Sequence, residues 1–425
     1  MPVDRRPRRI APAAGDRGRK RDRRSVFIVG AGLLGCLTAL ELAARGARVV
    51  LADRGPGVFA GASAAGEGKI HLGYVFARDA PDRTARLMLD GAFAFAAIVG
   101  RHVGTEAFAR HLSAPFVYRV LPGSLSSPQE LAAFYGKVDA MIAERLAAPG
   151  VSYLGGAARF EPVRRLADDP ACGADGPALA AFATTERAVD PAFLRAAIGA
   201  AVAADERIET VFGCTVTGFA RTAGGGTIPM TANGPLGRFD RVVNAAWDQR
   251  LKLDATLGHV TRRPVLHRRK VGMVVRVPAD RPAVESATLV LGAFGDVVNY
   301  GGGRLYLSWY PSGCIARTDA IAPPDDWRQP LGAREEECLF EDAATRLGAI
   351  VPGLTAVLAG AEAPTLTPGV ITSWGAGDVD QRETELHHRF EIGPQMLEPG
   401  YFSVDTGKLT MAPLFASRTA AMVMA

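Results

Sequence analysis

Apolar positions along this chain repeat with two periods, and the changes between them set the order of elements. Val26–Val29 is an unbroken apolar run, as a parallel strand buried on both faces requires. Leu33, Leu37, Leu40 and Ala44 then recur at helical spacing, and Gly46 is placed to close that helix in a left-handed turn. Ala47–Ala52 is a second apolar run, ended by Asp53. Pro81–Arg101 predicts a long helix and Phe116–Leu121 a strand. Ser127 and Pro128 predict an N-cap and first position for a helix reaching about Leu146. Residues 149–180, rich in Gly, Ala, Pro and Asp, predict irregular chain. Asp190-Pro191 starts another helix, with Phe193, Leu194, Ala197, Ile198 and Ala201 on one face. Strands follow at Ile208–Phe212 and Thr215–Phe219, and Arg241–Trp247 holds a further buried parallel strand. From Lys270 to Tyr310 the segments Val271–Val277, Ala287–Leu291, Gly295–Asn299 and Arg304–Trp309 are β-rich or alternate, with glycine turns between them. They predict an antiparallel sheet. A helix near Arg334–Leu347 and a short apolar helix at the C-terminus complete the pattern. The fold class is α/β, a Rossmann-type domain with a parallel sheet plus a discontinuous α+β domain with an antiparallel sheet.

The first strand–turn–helix–strand unit carries chemistry. Gly30-Ala-Gly32-Leu33-Leu34-Gly35 lies between strand and helix, and Asp53 follows Gly35 by eighteen residues. Gly30 permits the tight turn, Gly32 lets backbone approach a pyrophosphate, and Gly35 lets helix and strand pack closely. The helix N-terminus offers N–H groups and a positive dipole end, and Asp53 an acceptor for ribose hydroxyls. Gly61–Gly73 is a loop of small residues, through which backbone can lie against a ligand.

Charge and cysteines narrow the partners. The formal charge is +5, yet residues 1–24 hold ten Lys/Arg against Asp4, Asp16 and Asp22, so the remaining chain is mildly acidic. That arm has no apolar periodicity and reads as a disordered tail, not a nucleic-acid site. Arg23-Arg24 resembles an export signal, but the apolar run behind it is the nucleotide strand itself, and no other segment has the length and apolarity of a membrane span. Cys36, Cys172, Cys214, Cys314 and Cys338 lie far apart, and no histidine–acid spacing suits a metal. Neither disulfides nor metal are expected, and a cytoplasmic location fits.

With these pieces in place the chain resembles the D-amino-acid-oxidase-like superfamily of FAD-dependent oxidoreductases. It carries motif similarity to glycerol-3-phosphate and L-2-hydroxyglutarate dehydrogenases. Four blocks carry the resemblance: Val29–Gly35 with Asp53-Arg54-Gly55, the loop Gly61–Gly73 with Ile70-His71-Leu72-Gly73, Glu186-Arg-Ala-Val-Asp190-Pro191, and Asp405-Thr-Gly407-Lys408-Leu409-Thr410. Trp247 stands where the family often has Gly, and no match to a substrate-phosphate site or to a flavin-linking Cys is present. The resemblance implies FAD as cofactor, held by Gly30, Gly32, Leu33, Leu34, Gly35, Asp53, Arg54, Ala62, Ser63, Lys69, Ile70, His71, Val216, Ala245, Gly407, Lys408, Leu409 and Thr410. It implies a FAD-binding domain from 25–112, 181–258 and 366–425, and a substrate domain from 113–180 and 259–365.

His71 and Lys408 are the expected catalytic residues. His71 is open to three roles: base, flavin contact or structural histidine. Lys408, before the C-terminal helix, is expected to add positive charge at the flavin pyrimidine ring, where reduction builds negative charge. Tyr300, Tyr306, Trp309 and Tyr310 on the antiparallel sheet and Arg382 are candidates for substrate contact, the arginine as a bidentate carboxylate anchor. The expected reaction is dehydrogenation of a C–N bond in a small polar amine or amino acid, with O2 or another acceptor taking the electrons. The alternatives are C–O oxidation of a 2-hydroxy acid or polyol, favoured by the His71 and Lys408 blocks, and a non-catalytic nucleotide-binding module.

Overall fold

The computed structural model describes residues 25–425 except Ala80 and Ala279, so the basic arm expected at 1–24 lies outside the described residues. Two sheets organise the chain. The first has six strands in the order Gly393–Glu398, Tyr401–Asp405, Arg241–Asn244, Ser25–Val29, Arg48–Ala52 and Ile208–Val211. All neighbours are parallel except the hairpin Gly393–Glu398 with Tyr401–Asp405. Ser25–Val29 is central, and Phe27 and Ile28 on its two faces are fully buried, the reason its sequence is continuously apolar.

The helix Leu33–Ala44 departs from the expected single apolar face. Every residue from Leu33 to Ala43 is buried, because the helix is packed against the sheet and against helices Pro191–Ala204 and Ala412–Met424. Its one acid, Glu41, is answered by Arg101 at 2.8 Å and His102 at 3.0 Å. The His102 hydrogen bond, with Arg45 and Arg101, holds its carboxyl well below the usual range against the cost of burial.

The second sheet is mainly antiparallel and has nine strands. Its path runs Cys314–Thr318, Val265–Arg276, Arg304–Trp309, Gly295–Asn299, Ser286–Val290, Phe116–Val120, Ala180–Ala183 and Arg164–Leu166. Thr365–Trp374 pairs along the outer edge of Val265–Arg276. Helix Ala333–Gly348 packs on Arg304–Trp309 over a separate apolar core that includes Val271, Leu305 and Leu347.

Strand pairing sets several element boundaries. Residues 149–180 are not wholly irregular: they contain the strand Arg164–Leu166, whose hydrogen bonds to Ala180–Ala183 override a turn-rich composition. Positions 181 and 366 fall inside Ala180–Ala183 and Thr365–Trp374, and both strands pair in the large sheet. Val216–Arg221 joins Thr227–Thr231 in a small three-stranded sheet. Among the described residues no helix is long and apolar enough to cross a membrane.

Candidate active site

A cleft of about 1150 Å³ opens between the two sheets. One wall is built from the turns that follow the C-terminal ends of the parallel strands: Gly30 after Ser25–Val29, Asp53 after Arg48–Ala52, Ala245 after Arg241–Asn244, and Thr406 to Lys408 after Tyr401–Asp405. Open α/β sheets bind ligands at this edge. Arg268 to Lys270, Thr288 to Leu291 and Pro368 to Ile371 of the large sheet face it. The volume exceeds the ~300–1,000 Å³ of ordinary small-molecule pockets, leaving room for a dinucleotide and a small substrate together.

The dinucleotide end is shaped by absent side chains. Gly30 has φ +103°, and a Cβ there would lie 2.4 Å from the Ala245 carbonyl oxygen; one on Gly35 would lie 1.8 Å from the Gly30 oxygen. Ser63 Oγ accepts the Leu33 N–H at 2.9 Å, which leaves its own proton free to meet an anion at the helix N-terminus. Asp53 receives the Ala31 N–H on Oδ2 and the Gly55 N–H on Oδ1, both at 2.7 Å. Each oxygen keeps acceptor capacity for a ribose hydroxyl. Arg54 is held at 3.2 Å by both oxygens of Asp248. Trp247, at φ +50°, stays in the cleft wall because its indole N–H is donated to the Val370 carbonyl at 2.8 Å.

The other end concentrates charge. Lys69 is buried, bridging to Asp296 at 2.6 Å and donating to Thr288 Oγ1. Burial opposes its charge, but Asp296, Glu186 and Glu67 hold its pKa above the ordinary value. Burial and Asp296 work against ionised Glu67, yet Lys270, Lys69 and Lys408 keep its carboxyl below the usual range. Half-buried Lys408 is pushed down to about 7, first by burial and then by Arg389. Arg389 is 7% exposed and donates one long hydrogen bond, 3.4 Å, to the Gly407 carbonyl. Burial and Arg268 lower its pKa to about 10, so it remains a cation at neutral pH. Arg268 is tied to Tyr310, Asp378 and Ser373, while its Nε is buried without a partner.

His71 lies on the same wall, 5% exposed. Its backbone N–H is donated to Thr410 Oγ1 at 2.9 Å, and Thr410 in turn donates to the Lys69 carbonyl. Burial lowers the pKa of the ring, with Glu186 opposing, so His71 is neutral at physiological pH.

Gly30, Gly32, Leu33, Leu34, Asp53, Arg54, Ala62, Ser63, Lys69, His71, Val216, Ala245, Gly407, Lys408 and Leu409 all line the cleft. Gly35, Ile70 and Thr410 stand behind its wall. Most of the expected substrate contacts fall elsewhere. Tyr306 is buried in the sheet, Trp309 packs on the second core, and Tyr300 donates its hydroxyl to the Glu67 carbonyl at 2.8 Å. Arg382 is exposed outside the cleft. The strand Arg304–Trp309 ends at Trp309, and the chain turns there into the short helix Tyr310–Gly313. Tyr310, the first residue of that helix, lines the cleft. Arg268 and Arg389 had no sequence motif to mark them: Arg268 lies in the strand Val265–Arg276 and Arg389 in irregular chain before Gly393–Glu398, and only the tertiary fold brings them together.

Comparison with known proteins follows from this geometry. The sequence model of the DAO family, described as FAD dependent oxidoreductase, matches residues 25–422. Among solved structures, glycine oxidase from Geobacillus kaustophilus is 19% identical, with a TM-score of 0.66 and 94% of each chain covered. Iminodiacetate oxidase from Chelativorans sp. BNC1 is 18% identical, with a TM-score of 0.64 and 94% and 95% coverage of this chain and that one. L-alpha-glycerophosphate oxidase from Mycoplasma pneumoniae, solved with FAD bound, is 16% identical, with a TM-score of 0.63 and 95% of each chain covered. At such identities the likeness carries the fold. A comparison with curated proteins finds no sequence match.

Proposed function

The chain belongs to the DAO family of FAD-dependent oxidoreductases, and from that premise we propose that it oxidises the C–N bond of a small amine bearing an acid group. FAD, when bound, supplies the hydride chemistry. The glycine turn, Ser63 and Asp53 would hold its pyrophosphate and ribose, and the clash a Cβ would make at Gly30 or Gly35 supports that fit. The observation that carries the substrate class is Arg389, a buried cleft guanidinium whose donors are almost unused. A desolvated cation with spare donors matches a carboxylate. Arg268 beside it adds field and an unpartnered Nε. Glycine oxidase and iminodiacetate oxidase, by their names, act on molecules in which an amine and a carboxylate are neighbours.

Neutral His71 is a base held within the same cleft, and Lys408 close to 7 can carry or release a proton there. His71 also favours the second reading, oxidation of a 2-hydroxy acid, because removing a hydroxyl proton needs a base. Arg389→Met tests the acid anchor. The KM for acid substrates should rise about 10- to 100-fold, as loss of a charged hydrogen bond implies, with a smaller effect on amines lacking a carboxylate. Equal KM values in both proteins would exclude Arg389 from substrate binding.

A further inference from the structure

We propose that Glu186 positions His71, holding the Nδ1 proton and leaving Nε2 as the base for the cleft. This rests on the reading of His71 as a base. Glu186 is fully buried, and both its oxygens are fixed. Oε2 accepts the Leu72 N–H at 2.6 Å, and Oε1 accepts the Tyr118 hydroxyl. Among the described residues no arginine or lysine bridges it, and its ion-pair contact is with His71. The nearest lysine acting on it, Lys69, is committed to Asp296 and Thr288. A buried carboxylate without an arginine or lysine partner is costly to keep.

His71 Nδ1 lies 3.7 Å from Glu186 Oε1 and is buried with no hydrogen-bond partner. A purely structural buried histidine satisfies its ring nitrogens, whereas catalytic hydrogen bonds often tighten only when substrate is in place. The approach is fixed from both sides, because His71 N–H is held by Thr410 and the next N–H, of Leu72, by Glu186 itself. The edge of the Phe76 ring, with centroids 5.9 Å apart, closes one side of the imidazole. Glu186, Lys408 and Lys69 act on the ring, and Tyr118 is bonded to the same Oε1 of the carboxylate that faces Nδ1. Of these groups, Glu186 is the one whose charge favours an imidazolium. A proton accepted at Nε2 therefore creates a cation facing this one anion, and the partner of Nδ1 decides which nitrogen is free.

Selective 15N labelling of histidine in the full chain, with His71 assigned by its loss in His71→Gln, reads tautomer and titration together. Wild-type His71 should be the Nδ1–H tautomer. In Glu186→Gln its pKa should fall further and the tautomers should mix. The acid limb of the turnover profile should move to lower pH, and the plateau should drop about 10- to 100-fold, as when an outer partner of a functional histidine is removed. Glu186→Asp should recover part of both effects. An unchanged His71 tautomer and titration in folded Glu186→Gln would overturn the proposal. Should that variant not fold, Tyr118→Phe removes one donor from Oε1, makes the carboxylate a stronger acceptor and should raise the His71 pKa. An unmoved pKa there would also overturn it. Normal turnover in His71→Gln would instead defeat the base reading, leaving the tautomer result standing.

Discussion

Asp53 shows how one carboxylate serves both fold and ligand. Two backbone N–H groups, of Ala31 and Gly55, end on its oxygens at 2.7 Å, so the side chain shapes the turn that a ribose would meet. Asp53→Ala should weaken FAD binding to the apoprotein at least tenfold in a fluorescence titration, and lower stability by about 1–3 kcal/mol through the unpaired N–H groups. Full FAD affinity in the variant would remove Asp53 from the nucleotide site. Lys408 makes a different kind of prediction. Its folded pKa is about 7, against 10.5 when free. Below 7 both states carry the proton, and the folded protein bears the full cost of the charge. Between 7 and 10.5 only the unfolded chain binds it, so stability from this group rises with pH. Apoprotein Lys408→Met should therefore exceed wild type in denaturant midpoint most clearly below pH 7, the gap closing towards pH 10. A gap independent of pH would place Lys408 in solvent.

At the scale of elements, the glycines divide by what surrounds them. Gly35 sits where a Cβ would meet backbone at 1.8 Å, while Gly136, inside helix Pro128–Leu146, has nothing within 4 Å. Gly35→Ala should destabilise by more than about 2 kcal/mol, since neither strand turn nor helix can yield. Gly136→Ala should stabilise by roughly 0.5–1 kcal/mol through helix propensity. Chemical denaturation of the two variants separates these cases, and equal effects would contradict the close packing of turn and helix. Such local features were legible in the sequence: the fingerprint, the Ser127 capping box with Glu130, and the Asp190 cap on Pro191–Ala204 all depend on residues within a few positions. The burial of Leu33–Ala43 on every side was not legible, because it comes from helices that follow more than 140 residues later.

At the scale of the whole molecule, the glycine-turn end of the cleft was legible in the sequence and the charged end was not. Glycines and Asp53 are written in one continuous stretch, whereas Arg268, Tyr310 and Arg389 come from three segments joined by sheet pairing and by the turn after Thr365–Trp374. Long strands that share partners fix which residues of an alternating pair face the cleft, and a sequence shows alternation without its direction. Tyr310 reaches the cleft from the helical turn that follows the strand Arg304–Trp309.

The central claim is that this family member oxidises an amine that also bears an acid. Anaerobic mixing of the purified FAD-loaded protein with single compounds tests it, reading the loss of the oxidised flavin absorbance. The panel would set amino acids and N-substituted glycines against 2-hydroxy acids, polyols and amines without a carboxylate. The account predicts rapid bleaching by members of the first group and slow or no bleaching by the rest. Bleaching by hydroxy acids or polyols alone, with every amino acid inert, would contradict it.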